Sequence, residues 1–160
     1  MPSPLANGLR STGVFVLALL LATAGCAVKW TPFYDETLDK DITSFQQYTE
    51  GFLTKLETLQ APACTYKENV GFYQQGSVQL TVMRTRGAAS PHPKQLLEMM
   101  DSLSRNFTDL QTLQQNAGSA CLNATVIELA RKGFEPVFES LLAYELALKA
   151  NQPPAGAPSK

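Results

Sequence analysis

The chain has 160 residues, 44% of them hydrophobic and 17% charged, which suits one globular domain with a single core. Its 13 Lys and Arg stand against 14 Asp and Glu, for a net charge of −1. With no run of like charge, the sequence gives no electrostatic basis for nucleic-acid binding, which rests on clustered Lys and Arg.

Residues 1–13 are polar and small, with Arg10 as the one positive side chain. Val14 to Ala22 is an uninterrupted apolar run. It is too short for a stable spanning helix, which needs about 20 residues, and has the length of an export signal's hydrophobic region. Thr23, Ala24, Gly25 and Cys26 close it, and small residues before the cut suit a signal peptidase. The segment Leu21-Ala22-Thr23-Ala24-Gly25-Cys26 resembles the lipobox of bacterial lipoproteins. The resemblance covers residues 1–26 alone and departs from the family at Thr23, where Leu is preferred. It implies diacylglycerol on Cys26, cleavage before that residue and acylation of the new amino terminus. The competing reading is an ordinary secretory peptide with an incidental Cys. Each buried CH₂ contributes ~0.8 kcal/mol, so two or three acyl chains anchor a protein that has no transmembrane helix. Ala27, in place of Asp, favours by the same resemblance the periplasmic leaflet of the outer membrane, given a Gram-negative host.

The expected organisation is a signal peptide over 1–25, a lipidated tether over 26–34, a helical domain over 35–150 and a disordered tail over 151–160. The tether carries Trp30, Phe33 and Tyr34 and spans ~30 Å at most. These rings either rest at the lipid headgroups, as candidate membrane-proximal contacts, or cap the domain's core.

Residues 35–59 predict a helix. Leu38, Ile42, Phe45, Phe52, Leu56 and Leu59 step by three and four, with Thr49 in the one gap. Asp35, Glu36, Asp39 and Asp41 crowd its start, where the helix dipole favours acids. Ala61-Pro62 ends it. Residues 63–86 also predict a helix, through Tyr66, Val70, Tyr73, Ser77 and Leu80. Val78 to Val82 alternates like a strand, however, and Gly71 and Gly76 each disfavour a helix by ~1 kcal/mol. Residues 87–93 are a loop, where His92 lies between two prolines and reads as a solvated side chain.

Residues 94–115 form the third helix, on Leu96, Met100, Leu103, Phe107 and Leu110, widened by Met99 and Leu113. Gly118 suits the position after a helix end, and Ser119 the N-cap of the next. Residues 120–150 carry Leu122, Val126, Leu129, Phe134, Val137, Phe138, Leu141, Tyr144 and Leu148. Pro136 predicts a kink or break near 132–136, because it removes a hydrogen bond and crowds the preceding turn.

Four amphipathic helices on short loops predict an all-α, antiparallel four-helix bundle running up-down-up-down. With Cys26 lipidated, Cys64 and Cys121 are an even pair in an oxidising compartment and predict a disulfide. Closing a loop of about 58 residues stabilises by roughly 4 kcal/mol. Cys64 opens the second helix and Cys121 the fourth, so the topology brings both to one end, where the bond needs Cα atoms within ~7 Å.

No catalytic constellation emerges. His92 is the single histidine, too few for a di-iron bundle, and no Cys-x-x-Cys-His haem site exists. Met83, Met99 and Met100 read as core filler. Hydrolase motifs and phosphate loops are missing, and Glu135 and Glu139 read as a solvated face. No metal or cofactor is expected. The pairs Gln46-Gln47, Gln74-Gln75 and Gln114-Gln115 read as soluble faces, compatible with protein binding. The leading expectation is a non-enzymatic, membrane-anchored interaction module, an adaptor, pilotin-like subunit or envelope assembly factor, with an envelope protein as partner. The alternative is a carrier or sensor of an apolar ligand or lipid held between the helices, against rings such as Phe45, Phe52, Tyr66, Tyr73, Phe107, Phe134 and Phe138.

Overall fold

The structure, a computed structural model, describes residues 34–90 and 93–151. The leader, Cys26, Trp30, Phe33, His92 and the tail from residue 152 lie outside the described residues. Within them the chain is all-helical, with α1 at Glu36–Thr58, α2 at Tyr66–Ala88, α3 at Pro93–Asn116 and α4 at Ala124–Ala150. No described helix is long and apolar enough to cross a membrane.

The helix starts follow local chemistry. The Asp35 carboxylate caps α1, accepting from the backbone N–H of Thr37 at 2.9 Å and of Leu38 at 3.2 Å. Pro93 opens α3, at the position where its missing N–H is no loss. Gly118 has φ +60°, a conformation glycine adopts without strain after a helix end. The N-cap of α4 is Asn123, whose side chain accepts from Val126 N at 3.0 Å, and not Ser119. The helix therefore begins one turn later than expected, because Cys121 is held in the connection before it.

The stretch 77–83 is helical. Val78 and Val82 lie one turn apart on the outer face, while Gly76, Leu80, Met83 and Gly87 turn inward. The strand-like alternation comes from those two outward valines. Gly76 and Gly87 are room for packing. A Cβ at Gly76 would fall 2.2 Å from Phe107 Cζ, and one at Gly87 would fall 3.0 Å from Met100 Sδ.

Each helix packs on its neighbours in the chain, and α1 also packs on α4. Rings from all four helices fill the centre. Phe45 lies 5.6 Å from Phe107 and 6.1 Å from Phe138 between ring centroids, and Tyr73 lies 5.6 Å from Phe107. Phe72 stacks on Phe52 at 3.6 Å.

Two expectations for α4 are corrected. Leu129, placed in the core stripe, is 67% exposed. The inward series is instead Ile127, Phe134, Phe138, Leu141, Glu145 and Leu148, stepping by seven, four and three, and Ile127 takes the core position. Of the kink or break expected near 132–136, the break does not occur, since α4 is one helix through Gly133 and Pro136. Neighbouring groups bond the carbonyls around the proline. Asn106 Nδ2 donates to Gly133 O at 2.6 Å, and Ser140 Oγ donates to Pro136 O at 2.7 Å.

Cys64 and Cys121 stand at disulfide distance, with Sγ atoms 1.95 Å apart and Cα atoms 5.3 Å apart. The bridge joins the connection before α2 to the connection before α4. Gln114 supports it and corrects the reading of a soluble glutamine face, for Gln114 is fully buried. Its Nε2 donates to Cys64 O at 2.7 Å, and its Oε1 accepts from the Tyr73 hydroxyl at 2.6 Å.

The glycines of α2 give opposite expected outcomes in urea unfolding. Gly76→Ala lowers stability by about 1–3 kcal/mol, since the Phe107 ring must shift within a filled core. Gly71 has no neighbour within 4 Å of a new Cβ, so Gly71→Ala raises stability by roughly 0.5–1 kcal/mol.

Candidate functional site

Two features depart from a merely soluble bundle: an apolar groove on α3 and α4, and an acidic cluster at the start of α1. The groove is open and holds about 320 Å³. Leu110, Leu113, Leu129 and Ala130 line it, with Asn106, Asp109 and Gly133 at its polar side. Leu113 is 39% and Leu129 67% exposed, so a leucine from each helix meets water at one place. The walls are held, because Asn106 bonds across to Gly133 O.

The acids around the groove differ in their ties. Glu128 pairs with Arg131 at 3.1 Å, and Arg131 also holds Glu50 at 3.0 Å and Glu57 at 2.8 Å on α1. Those carboxylates raise the guanidinium above its ordinary value. Asp109 is exposed and makes no ion pair among the described residues. A second, smaller groove of about 240 Å³ lies on α1 and α2, lined by Val78, Val82, Asp41 and Ser44.

At the start of α1, the Tyr34 hydroxyl donates to Asp39 Oδ2. That bond to a carboxylate holds the phenol up at about 12. Lys149 Nζ lies over the Tyr34 ring, 5.2 Å from its centroid. Arg86 reaches Asp41 at 3.4 Å and Asp35 at 3.8 Å. Beside this cluster, Glu145 is 1% exposed and neither carboxylate oxygen has a hydrogen-bond partner. Burial, then the negative charges of Asp39 and Asp35, push its carboxyl up to about 7.

Of the residues singled out from sequence, Tyr34 is half-buried at the mouth of the acidic cluster, and Cys64 and Cys121 are brought together at the far end of α1. Cys26, Trp30 and Phe33 lie outside the described residues. Glu135 and Glu139 are exposed on α4. Among the rings named from sequence, Tyr66 lies on Tyr73 at 5.4 Å and Phe134 on Phe138 at 6.1 Å. No group of three or more His, Cys, Asp or Glu among the described residues could hold a metal ion. Glu145 was legible only as spacing: it falls four residues after Leu141 and three before Leu148, a core register occupied by a carboxylate. The groove has no such signal, since exposed leucines look like core leucines in sequence. No protein-family model, no curated protein and no solved structure matches the chain.

The fold holds the Glu145 proton more tightly than the unfolded chain, whose carboxyl titrates near 4.5. Stability therefore falls as pH rises from 4.5 through about 7 and is level above. Glu145→Gln is expected to raise stability at alkaline pH by roughly 2–3 kcal/mol and to match the wild type in acid. Urea unfolding across pH checks the convergence; a constant offset at every pH contradicts it.

Proposed function

We propose that the protein is a lipid-anchored, non-enzymatic interaction module of the bacterial envelope that docks a partner helix in the α3–α4 groove. The observation that carries this reading is the pair of water-exposed leucines, Leu113 and Leu129, on adjacent helices over an apolar floor. Exposed apolar patches with a polar rim are what docking surfaces present. The groove fits an amphipathic helix with apolar residues at i and i+3 or i+4, the helix-in-groove mode. Asp109, exposed and without an ion pair at the rim, selects a partner with Lys or Arg beside that apolar stripe.

In this reading the helices alternate up-down-up-down. Arg86, near the end of α2, reaches acids at the start of α1, and Arg131, early in α4, reaches Glu57 near the end of α1. Both contacts support antiparallel neighbours. A bend of α4 at Pro136 accompanies the arrangement, since proline cannot bond the carbonyl of Lys132. The lipid is on Cys26, the tether runs over 26–34, and the protein faces the periplasm from the outer membrane of a Gram-negative host. The lipobox resemblance supports this address.

Two experiments test the reading. A photo-crosslinking residue at Leu129 in cells is expected to capture one defined envelope protein. Asp109→Lys should abolish the product, and reversing the partner's facing basic residue to Glu should restore it. If crosslinks from Leu129 and from exposed Glu135 give the same spread of abundant neighbours, the groove is not a docking site. Separately, Cys26→Ser is expected to move the protein from the membrane fraction to the soluble periplasm and to abolish fatty-acid labelling; unchanged membrane association contradicts the anchor.

A further inference from the structure

The two ends of α4 are held differently. Near its start, Arg131 is bonded to three carboxylates. Near its finish, Glu145 occupies a core position between Leu141 and Leu148 with both oxygens unpartnered. Among the described residues, the groups around it offer no compensating charge. From α1 it feels Asp39 and Asp35, which are both acids. Their own bonds lead elsewhere: Asp39 accepts from Tyr34, and Asp35 caps Thr37 and Leu38. Arg86 on α2 is engaged with Asp35 and Asp41, and Lys149 on α4 lies over Tyr34. The first turns of α3 carry Lys94 and Glu98, both exposed, and Asp101, which is bonded to Arg84 of α2.

An ionised Glu145 would thus lack water and donors while facing two negative charges, whereas the neutral acid forgoes only hydrogen bonds. The carboxyl ends α4's hold on the bundle almost alone, for beyond it only Leu148 is buried before the helix stops at Ala150. We propose that Glu145 is a proton-operated latch: its neutral carboxyl lets the last turns of α4 pack on the start of α1, and its ionisation releases those turns. Release is local, because few apolar contacts must be broken there. It also withdraws Lys149 from its place over the Tyr34 ring. Burial places the titration at about 7, within reach of ordinary changes in the surroundings.

Amide hydrogen exchange of the full chain, corrected for intrinsic rates, tests the latch. Between about pH 6 and about pH 8, residues 142–150 of the wild type are expected to lose about tenfold in protection, while amides near Gln114 keep theirs. Glu145→Gln should hold full protection at both values, and Glu145→Leu should do the same should the glutamine variant fail to fold. Three results overturn the proposal: pH-independent protection of 142–150 in the wild type, the same loss in both variants, or a loss spread evenly over all four helices.

Discussion

Phe107 needs space at the centre of the bundle, and that space exists because Gly76 has no side chain. The ring lies against Phe45 of α1 and against Phe72 and Tyr73 of α2. α2 has little apolar surface to offer, with Tyr73, Leu80 and Met83 as its large buried side chains. A helix that poor in hydrophobes is held by close approach, where dispersion contacts are many and no void is left. Gly87, tight against Leu96 and Met100, repeats the device one residue from the end of the helix. Gly76 and Gly87, which disfavour α2 as an isolated helix, are what let it join the core.

From that centre the structure grows unequal in its polar bonding. Toward the bridge, the buried amides are satisfied, while the Thr49 hydroxyl midway along α1 has no partner. Gln114 bonds both Cys64 O and Tyr73, and Asn69 Nδ2 donates to Ala63 O and Thr65 O at 2.8 Å each. Such a network is rigid because each unmade bond would be expensive in a low dielectric. Cys64 and Cys121 stand at disulfide distance at the same place. Toward Tyr34, the buried polar group is Glu145, and it is unsatisfied. One end is thus built to stay shut, while the other keeps its shape only as far as one carboxyl stays neutral.

Legibility from sequence follows the same division. Heptad-like spacing of Leu38, Ile42, Phe45, Phe52 and Leu56 marks α1 well, with Thr49 buried in the gap, and Leu96 to Leu110 marks α3. The cysteine pair is legible from count, given the exported compartment that the leader's resemblance implies. What spacing cannot report is a polar residue whose partner lies far along the chain. Gln114 looks like its exposed neighbour Gln115, because the Tyr73 hydroxyl that buries it is 41 residues away. Glu145 is hidden for the converse reason: its register is that of a leucine, but a carboxylate is read as surface. Leu129 is read as core by its side chain alone, although Ile127 holds the register. Ser119 fails as a cap because the bridge keeps the chain out of helical geometry until Asn123.

The inequality of the two ends bears on how the groove would serve a partner. Leu113 sits beside Gln114, one residue from the group that ties α3 to Cys64 O, and Leu129 sits two residues from Arg131. Asn106 fastens the floor by bonding Gly133 O. The docking surface proposed is thus drawn from the satisfied half of the molecule. A preformed groove spares the partner the ordering cost that a mobile one would impose. The latch proposed at Glu145 lies four turns further along α4, where the helix has least to lose by moving. A motion confined there would free the last turns of α4 from the start of α1 while leaving the groove intact. Binding and proton response are then separable, and a variant that fixes the latch should bind a partner as the wild type does.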